Sequence, residues 1–352
     1  MSELSLQNIT KSFGNITALK DISFSVNDGE FFVLLGPTGA GKTTTLRVIA
    51  GLEKPETGHV LFNNIIADSL SPADRDVAIV FQQYSLYPTM SVYENMAFPL
   101  RAPGRKLPEP KIKEMINEAA EKLRITHLLN RKTAQLSGGE MQRVSIGRAI
   151  VRRPHVFLMD EPLSNLDAKL REALRVELKH LQKGEGITTL YVTHDQIEAL
   201  TMADRIGILD RGKLVQVGTP DDIYDRPINT FVAKLVGTPR INLVNGKILD
   251  GKCIIIGSEI FLPIPPGDQA LEYFSMGIRP EDVTLSQEGE FSGVIALTEP
   301  LGVETIVHIT NGELNLISLV TGLIDLKVGE NVHFDIKKEN IHYFDQQGDR
   351  IS

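Results

Sequence analysis

The most constraining feature of the chain is a glycine-rich segment between an apolar run and a helical pattern. The segment reads Gly36-Pro37-Thr38-Gly39-Ala40-Gly41-Lys42-Thr43, and it directly follows the apolar run Phe31 to Leu35. Glycines allow successive backbone N–H groups to point at one centre, where the start of a helix also favours negative charge. A lysine and a hydroxyl at the end of the loop suit a nucleotide phosphate and Mg²⁺. We therefore expect a strand–loop–helix unit that binds ATP and Mg²⁺, with these candidate contacts: Gly36, Pro37, Thr38, Gly39, Ala40, Gly41, Lys42, Thr43 and Thr44.

The first two thirds of the chain alternate short apolar runs with long helical patterns, up to about residue 235. This alternation indicates a parallel sheet with covering helices. The unbroken apolar runs Phe31 to Leu35 and Val156 to Met159 are typical of strands buried on both faces. Between about residues 88 and 154 the pattern turns helical, as in Lys111 to Leu123 and Glu140 to Val151. We predict a helical subdomain there.

The last third of the chain has a different sequence pattern. Short runs rich in Val, Ile and Leu are separated by Gly, Pro, Asn and Asp, as in Lys252 to Ile256, Val303 to Thr310 and Asn331 to Ile336. This spacing predicts small β-barrels. The expected domains are therefore 1–235, which includes the helical subdomain at about 88–154, and 236–352.

Composition and charge limit the classes of partner that the chain is expected to bind. A net charge of -8 and a pI near 5.6 argue against the broad positive face that nucleic-acid binding requires. Cys253 is the single cysteine, so the chain forms no intrachain disulfide and suits a reducing compartment. The first residues do not resemble a secretory signal, and the apolar runs are far shorter than the roughly 20 residues that cross a bilayer. We expect a cytosolic chain whose membrane role, if it has one, comes through partner subunits.

An acidic pair, Asp160-Glu161, ends the second buried run. Ligands of α/β proteins bind at the carboxyl edge of the sheet, so this pair and the glycine-rich loop are expected to meet there. Asp160 is expected to hold the metal's water shell, and Glu161 to act as general base toward an attacking water. Such a pair alone is more often a turn or a helix cap, but the upstream phosphate loop favours the functional interpretation.

At this point the chain resembles the ATP-binding cassette (ABC) family. Leu136-Ser137-Gly138-Gly139-Glu140 looks like the signature loop of that family, and it lies between the phosphate loop and the acidic strand as expected. The other family elements are Phe13 as the aromatic that stacks on adenine, Gln82 of the glutamine loop, Ser164-Asn165-Leu166-Asp167 as the aspartate loop, and His194 as the switch histidine. Alone, Phe13, Gln82 or His194 is more often a core or capping residue, so their order and joint occurrence carry the assignment.

The resemblance implies a fold, a site and a mechanism. The fold is an α/β P-loop NTPase core with a helical subdomain, followed by an all-β domain of small oligonucleotide-binding (OB)-like barrels. Two chains would pair head to tail, so that the signature loop of one contacts the terminal phosphate of the ATP that the other holds. The implied roles are catalytic for Lys42, Gln82, Glu161 and His194; metal-binding for Thr43, Gln82 and Asp160; and nucleotide-binding for Phe13, Ser137, Gly138, Gly139, Glu140 and Asp167.

Glu140 departs from the family pattern, which more usually has glutamine there. It adds a negative charge beside an anionic ligand. Ser137-Gly138-Gly139-Glu140 is also a capping box, in which Ser137 caps a helix and Glu140 reaches back to the Ser137 N–H. We therefore expect Glu140→Gln to change helix stability little.

Two features favour a transport ATPase. The aromatic and Met-rich segment Tyr84 to Phe98 resembles the importer region that forms a groove for a permease helix; packing between subdomains is the alternative. Segments of the last third resemble the maltose-type sugar-importer ATPases: Gly237 to Leu243, Gly277 to Val283 and Glu299 to Thr305. The expected partners are a second ATPase subunit, two permeases and, indirectly, an extracytoplasmic solute-binding protein.

The expected location is the cytoplasmic face of a membrane, as a peripheral subunit of a carbohydrate or polyol importer. Importers of polyamines, sulfate or iron are alternatives, because their ATPases have related tails. A soluble cassette ATPase that acts on a macromolecule is a further alternative of another class.

Overall fold

The computed structural model describes residues 3–102, 104–105, 107–249, 252–265, 272–322 and 326–351. The chain forms two compact units, Met1–Pro220 and Asp221–Ser352. The predicted domain boundary after residue 235 stays a prediction. Among the described residues, no helix combines the length and the apolar character needed to cross a membrane.

The first unit contains two sheets. Its strands are β1 (Leu4–Phe13), β2 (Ile16–Val26), β3 (Phe31–Leu35), β4 (Thr57–Phe62), β5 (Ile65–Ile66), β6 (Val77–Val80), β7 (Val156–Asp160), β8 (Thr188–Thr193), β9 (Arg205–Asp210) and β10 (Lys213–Gly218). The larger sheet has the order β10-β9-β3-β8-β7-β6, in which all pairs are parallel except β9 with β10. β3 lies inside this sheet with all five residues buried, as an apolar strand covered on both faces requires. The predicted parallel α/β core is confirmed.

The smaller sheet differs from the expectation. The alternation of strands and helices predicted one parallel sheet, but β2-β1-β4-β5 forms a separate antiparallel sheet. The cause is local, because only Gly14-Asn15 separates β1 from β2, and a two-residue turn of this type joins antiparallel strands. Gly14 has a φ of 56°, which suits such a turn.

Helices cover the larger sheet and form the segment between β6 and β7. They are α1 (Lys42–Ile49), α2 (Val92–Ala97), α3 (Glu109–Lys122), α4 (Gly138–Ile150), α5 (Ala168–Glu185) and α6 (Gln196–Met202). The second to fourth lie in the predicted helical segment, with short 3₁₀ turns at Phe98–Arg101, Thr126–Leu128 and Thr133–Gln135. α3 buries Ile112, Ile116, Ala119 and Ala120, the one-sided pattern of an amphipathic helix.

The second unit begins with two short helices and continues as β-structure. Its elements are α7 (Pro220–Asp225), α8 (Thr230–Leu235), β11 (Asn242–Leu249), β12 (Lys252–Ile255), β13 (Phe261–Leu262), β14 (Tyr273–Ile278), β15 (Val283–Ser286), β16 (Phe291–Pro300), β17 (Glu304–Asn311), β18 (Leu314–Thr321), β19 (Asn331–Ile336) and β20 (His342–Phe344). They form two five-stranded antiparallel sheets, β13-β12-β11-β14-β20 and β15-β19-β16-β17-β18, around one apolar core. The Ser318 hydroxyl donates to the Val283 carbonyl and so joins the two edge strands of the second sheet. This sheet is nearly closed, and the predicted all-β barrel-like character is confirmed.

Candidate functional site

The glycine-rich loop connects β3 to α1 at the carboxyl edge of the parallel sheet. Gly41 has a φ of 110°, and a Cβ there would lie 2.7 Å from the Ala18 carbonyl oxygen. A Cβ at Gly36 would lie 2.2 Å from the Leu209 carbonyl oxygen. The chain therefore requires glycine at both positions to bring the loop against its neighbours.

Lys42 folds its side chain back over this loop. Its Nζ donates to the carbonyl oxygens of Gly36 at 2.9 Å and Pro37 at 3.0 Å, and the residue is only 5% exposed. An ammonium group buried this far is costly unless anions approach it. Glu161 Oε1 lies 3.5 Å from the Lys42 Nζ, so the loop places one positive charge beside one carboxylate.

Asp160 and Thr43 meet across the same edge. The Thr43 hydroxyl donates to Asp160 Oδ1 at 3.1 Å. Burial raises the pKa of the Asp160 carboxyl, against the lowering effect of the Thr43 hydrogen bond. A half-buried carboxylate next to a hydroxyl matches the oxygen ligands that Mg²⁺ prefers.

Glu161 occupies an unusual backbone conformation. Its φ is 45°, a region that non-glycine residues rarely adopt and that costs on the order of 1 kcal/mol or more. The Glu161 N–H donates to the Val192 carbonyl at 2.9 Å, so β8 holds the strained residue in place. Its Oε2 lies 2.9 Å from Nδ1 of His194. The Glu161 carboxylate is thus fixed between Lys42 and His194.

The glutamine and aspartate loops also converge here. Gln82 Nε2 donates to the Ser164 hydroxyl at 3.3 Å, and Ser164 in turn donates to the Glu161 carbonyl at 2.8 Å. Asn165 Nδ2 donates to the Gln82 carbonyl at 2.8 Å. Asp167 caps α5 by accepting from the Leu170 N–H at 3.0 Å. Hydrogen bonds therefore connect Gln82 to the backbone of Glu161.

The histidine loop rests on a buried carboxyl that sequence reasoning missed. Glu198 is 2% exposed, and its Oε2 accepts from the hydroxyls of Tyr191 at 2.8 Å and Thr193 at 2.6 Å. Thr193 also accepts from the Asp195 N–H at 2.9 Å. Burial is the main cause of the raised pKa of Glu198. The available signal was a tyrosine and a closing threonine in the buried strand Thr188–Thr193, since buried hydroxyls require partners.

The signature loop forms the start of α4. Ser137 accepts from the Glu140 N–H, and Glu140 accepts from the Ser137 N–H at 2.7 Å, so the predicted capping box is present. A Cβ at Gly139 would lie 2.6 Å from Leu170 Cδ2, and one at Gly138 would lie 3.1 Å from the Tyr84 hydroxyl oxygen. The loop thus packs against the start of α5 and the segment after Gln82. Among the described residues, no hydrogen bond or ion pair joins Ser137 or Glu140 to Lys42 or Glu161.

Phe13 lies apart from these groups at the end of β1. The residue is 45% exposed, and Lys11 Nζ lies 5.0 Å from the centroid of its ring. An exposed aromatic face with a cation beside it is a surface on which a planar ring can stack.

A second surface lies between β6 and α4. Phe81, Tyr87 and Phe98 are between 38% and 48% exposed, and they border a groove of about 320 Å³ together with Arg148 and Arg152. The rings of Tyr87 and Phe98 are 4.7 Å apart, and the Arg148 guanidinium lies 5.6 Å from the Tyr87 ring. Grouped exposed rings with cations at the border are typical of a protein-binding groove.

The loop, Lys42 and the Thr43–Asp160 pair suit a nucleotide with its metal. The loop is a cradle that a Cβ would fill, the nearly buried lysine supplies a positive charge, and the hydroxyl and carboxylate are hard oxygen donors.

Comparisons with known proteins agree with this geometry. Residues 19–164 match the ABC transporter family, and residues 276–344 match the TOBE domain. The trehalose/maltose import ATP-binding protein MalK of Thermococcus litoralis is 46% identical over 369 residues, with 98% of each chain covered. The xylose/arabinose import ATP-binding protein XacK of Haloferax volcanii is 44% identical, covering 100% of this chain and 96% of that one.

Further relatives and solved structures extend the agreement. The sn-glycerol-3-phosphate import ATP-binding protein UgpC of Brucella abortus biovar 1 is 43% identical over 362 residues, with 100% of both chains covered. The dimeric structure of MJ0796, a bacterial ABC transporter cassette, is 33% identical with a TM-score of 0.56, and covers 62% of this chain and 98% of that one. The chain therefore belongs to the ABC transporter family, among its ATP-binding ATPase subunits.

Proposed function

We propose that this chain hydrolyses ATP with Mg²⁺ between two copies bound head to tail, and so drives a carbohydrate or polyol importer from the cytoplasmic face of a membrane. The observation that carries the proposal is the position of Glu161 between Lys42 and His194, at 3.5 and 2.9 Å. The positive φ of Glu161 adds support, because strained backbone conformations concentrate at functional sites, where they hold a side chain in one orientation.

Glu161 and His194 act together on the attacking water. The Glu161 carboxylate accepts a proton from water as the water oxygen bonds to the terminal phosphorus, while the bond from that phosphorus to the bridging oxygen breaks and ADP leaves. Because that carboxylate accepts a hydrogen bond, His194 donates through Nδ1, which fixes its tautomer and the orientation of Glu161. Gln82 lies at the border of the same site and orients water or metal through its amide.

Lys42, Thr43 and Asp160 bind the phosphates and their metal. Lys42 releases its carbonyl partners and donates to the phosphate oxygens, and its charge acts strongly there because the lysine itself is nearly buried. The Thr43 hydroxyl and Asp160 would hold Mg²⁺, which when bound would supply positive charge to the phosphates. Phe13 supports the adenine ring by stacking.

The remaining predicted contacts come from a second copy. Ser137, Gly138, Gly139 and Glu140 begin a helix whose N–H groups suit a phosphate, and Asp167 lies in the adjacent loop. The similarity to a dimeric cassette supports this arrangement. Each ATP is then enclosed by the phosphate loop of one copy and the signature loop of the other.

The aromatic groove of Phe81, Tyr87 and Phe98 receives a cytoplasmic helix of a permease. Such a helix inserts apolar side chains between exposed rings. The import names of the relatives, which specify trehalose/maltose, xylose/arabinose and sn-glycerol-3-phosphate, support carbohydrate or polyol import. A solute-binding protein delivers the solute to two permeases on the far side, so the solute never meets this chain.

A recovery experiment tests the transport function. The tagged chain is purified from detergent-extracted membranes of its own cell, the co-purifying subunits are identified, and solutes are screened for stimulation of ATP hydrolysis in liposomes. Phe98→Glu places a charge in the groove and is expected to abolish recovery of permeases. Ile65→Glu, at a residue 70% exposed outside the groove, is the matched control and should leave recovery intact. Equal recovery with both variants would contradict docking at the groove, and recovery of no permease by the unaltered chain would contradict the transport function.

A further inference from the structure

Glu140 binds the hydroxyl that the signature loop would offer to a phosphate. Its Oε2 accepts from the Ser137 N–H at 2.7 Å and from the Ser137 hydroxyl at 2.9 Å. A serine hydroxyl carries one hydrogen. While Glu140 accepts this hydrogen, Ser137 cannot donate it to a phosphate.

The negative charge of the Glu140 carboxylate also bears on phosphate binding. Among the described residues, no cation lies within ion-pair distance of it. Hydrogen bonds from Ser137, and more distantly the charges of Arg131 and His127, keep the pKa of Glu140 below its ordinary value. An incoming phosphate therefore meets a negative charge at the start of α4.

We infer that Glu140 is an electrostatic latch on Ser137, which raises the ATP concentration needed to close two copies around the nucleotide. The inference rests on the proposed head-to-tail dimer. For closure, the Ser137 hydroxyl must rotate from the carboxylate to the terminal phosphate of the ATP that the other copy holds. The two negative groups then lie on either side of one serine, and their repulsion opposes closure.

Two substitutions of Glu140 distinguish the effect of its charge from the effect of its shape. In Glu140→Gln the amide oxygen accepts from the same two donors, so the capping box persists without the charge. In Glu140→Asp the charge persists, but the side chain is one methylene shorter and reaches Ser137 less well. If charge is the cause, only glutamine should ease closure.

The chain contains a matched control for the capping box. At the start of α2, Ser91 and Glu94 form the same arrangement, with the Ser91 N–H donating to Glu94 Oε2 at 2.6 Å and the Glu94 N–H donating to the Ser91 hydroxyl at 3.1 Å. Glu94→Gln changes the net charge and the capping box as Glu140→Gln does, but at the start of α2 and outside the signature loop.

The experiment measures dimerisation, not hydrolysis. All variants carry Glu161→Gln to slow turnover, and sedimentation velocity gives the ATP concentration of half-dimerisation in the presence of Mg²⁺. Glu140→Gln is expected to lower this concentration by about tenfold or more, since a like charge opposite a phosphate is removed. Glu140→Asp should stay within about threefold of the parent, and Glu94→Gln should not change it. High salt should reduce the difference in half-dimerisation ATP concentration between the parent and Glu140→Gln, because screening weakens the repulsion.

Three results would overturn the latch. Glu140→Gln could leave the ATP concentration of half-dimerisation unchanged or raise it. Glu140→Asp or Glu94→Gln could lower this concentration as much as Glu140→Gln does. The proposed dimer has a separate criterion. If every variant binds ATP and none dimerises, the head-to-tail arrangement fails and the latch with it. If the parent dimerises and Glu140→Gln behaves like it, only the latch fails.

Discussion

Glu161 Oε2 lies 2.9 Å from Nδ1 of His194, although the two residues follow different strands. β7 and β8 are parallel neighbours, so their carboxyl ends meet at one edge of the sheet. The Glu161 N–H donates to the Val192 carbonyl, which fixes the backbone of one residue directly before the loop of the other. The pair is therefore positioned by sheet hydrogen bonds and not by flexible side chains alone.

Replacement of Glu161 by glutamine tests the general base. Glu161→Gln retains the shape but cannot take a proton, so turnover should fall by on the order of 100-fold or more while ATP still binds. ATP hydrolysis and the binding of a fluorescent ATP analogue are measured in parallel. Glu172→Gln, at an exposed position on α5, is the control. Near-normal turnover in Glu161→Gln would assign the base elsewhere.

The two capping boxes predict different effects of charge and shape on stability. Glu140→Gln keeps an acceptor for the Ser137 N–H, so the free energy of unfolding should change by less than about 1 kcal/mol. Ser137→Ala removes the side-chain cap of α4 and should cost about 1 kcal/mol, as Ser91→Ala should at α2. Urea denaturation of the four proteins, including the parent, measures these differences. A cost of several kcal/mol for Glu140→Gln would refute the capping role.

Glu198 should couple stability to pH. Burial raises the pKa of its carboxyl above the ordinary 4.5, so the folded chain binds the proton more tightly than the unfolded chain. The resulting contribution is greatest at low pH and is lost as pH rises through the window above 4.5. Glu198→Gln keeps an acceptor for the hydroxyls of Tyr191 and Thr193 but does not titrate. Relative to the parent, it should therefore gain stability as pH rises through that window; a constant difference in urea denaturation would contradict this.

His342 should act in the opposite direction. Burial, followed by the charges of Arg350 and Arg279, lowers its pKa from 6.5 to about 4. The unfolded chain then takes up a proton below pH 6.5 that the folded chain refuses, so stability falls as pH drops from 6.5 toward 4. One pKa unit corresponds to about 1.4 kcal/mol, so this loss reaches on the order of 3 kcal/mol.

Two substitutions separate this effect from general acid sensitivity. His342→Gln should remove most of the loss between pH 6.5 and 4, whereas His333→Gln, at an exposed position, should retain it. Thermal or urea denaturation across this pH range provides the measurement. An unchanged pH profile in His342→Gln would contradict the assignment.

The sequence predicted the parts of the fold that depend on local pattern. The buried run Phe31 to Leu35 forms β3, and Ser137 with Glu140 forms the capping box, because each requires only neighbouring residues. The separate antiparallel sheet was not predicted. Gly14-Asn15 is a local signal for the hairpin of β1 and β2, but no local pattern reveals the pairing of β1 with β4, because these segments are distant in sequence.

The sequence predicted which residues form the site, but it did not predict the contacts between them. The acidic pair was expected at the carboxyl edge, and His194 was assigned through the family resemblance. Neither indicated the strained φ of Glu161, which depends on the hydrogen bond to Val192. Glu198 was missed because a glutamate in the first turn of a helix ordinarily faces solvent. Its burial follows only from the packing of α6 on β8, which places two hydroxyls beside it.

The most direct test of the account is the mass of the Glu161→Gln chain in solution with ATP and Mg²⁺. Sedimentation velocity is combined with a measurement of bound nucleotide, and Lys42→Ala serves as the variant that should not hold the phosphates. The account predicts a dimer that forms with ATP and dissociates when ATP is replaced by ADP. A chain that remains monomeric while fully loaded with ATP would contradict it.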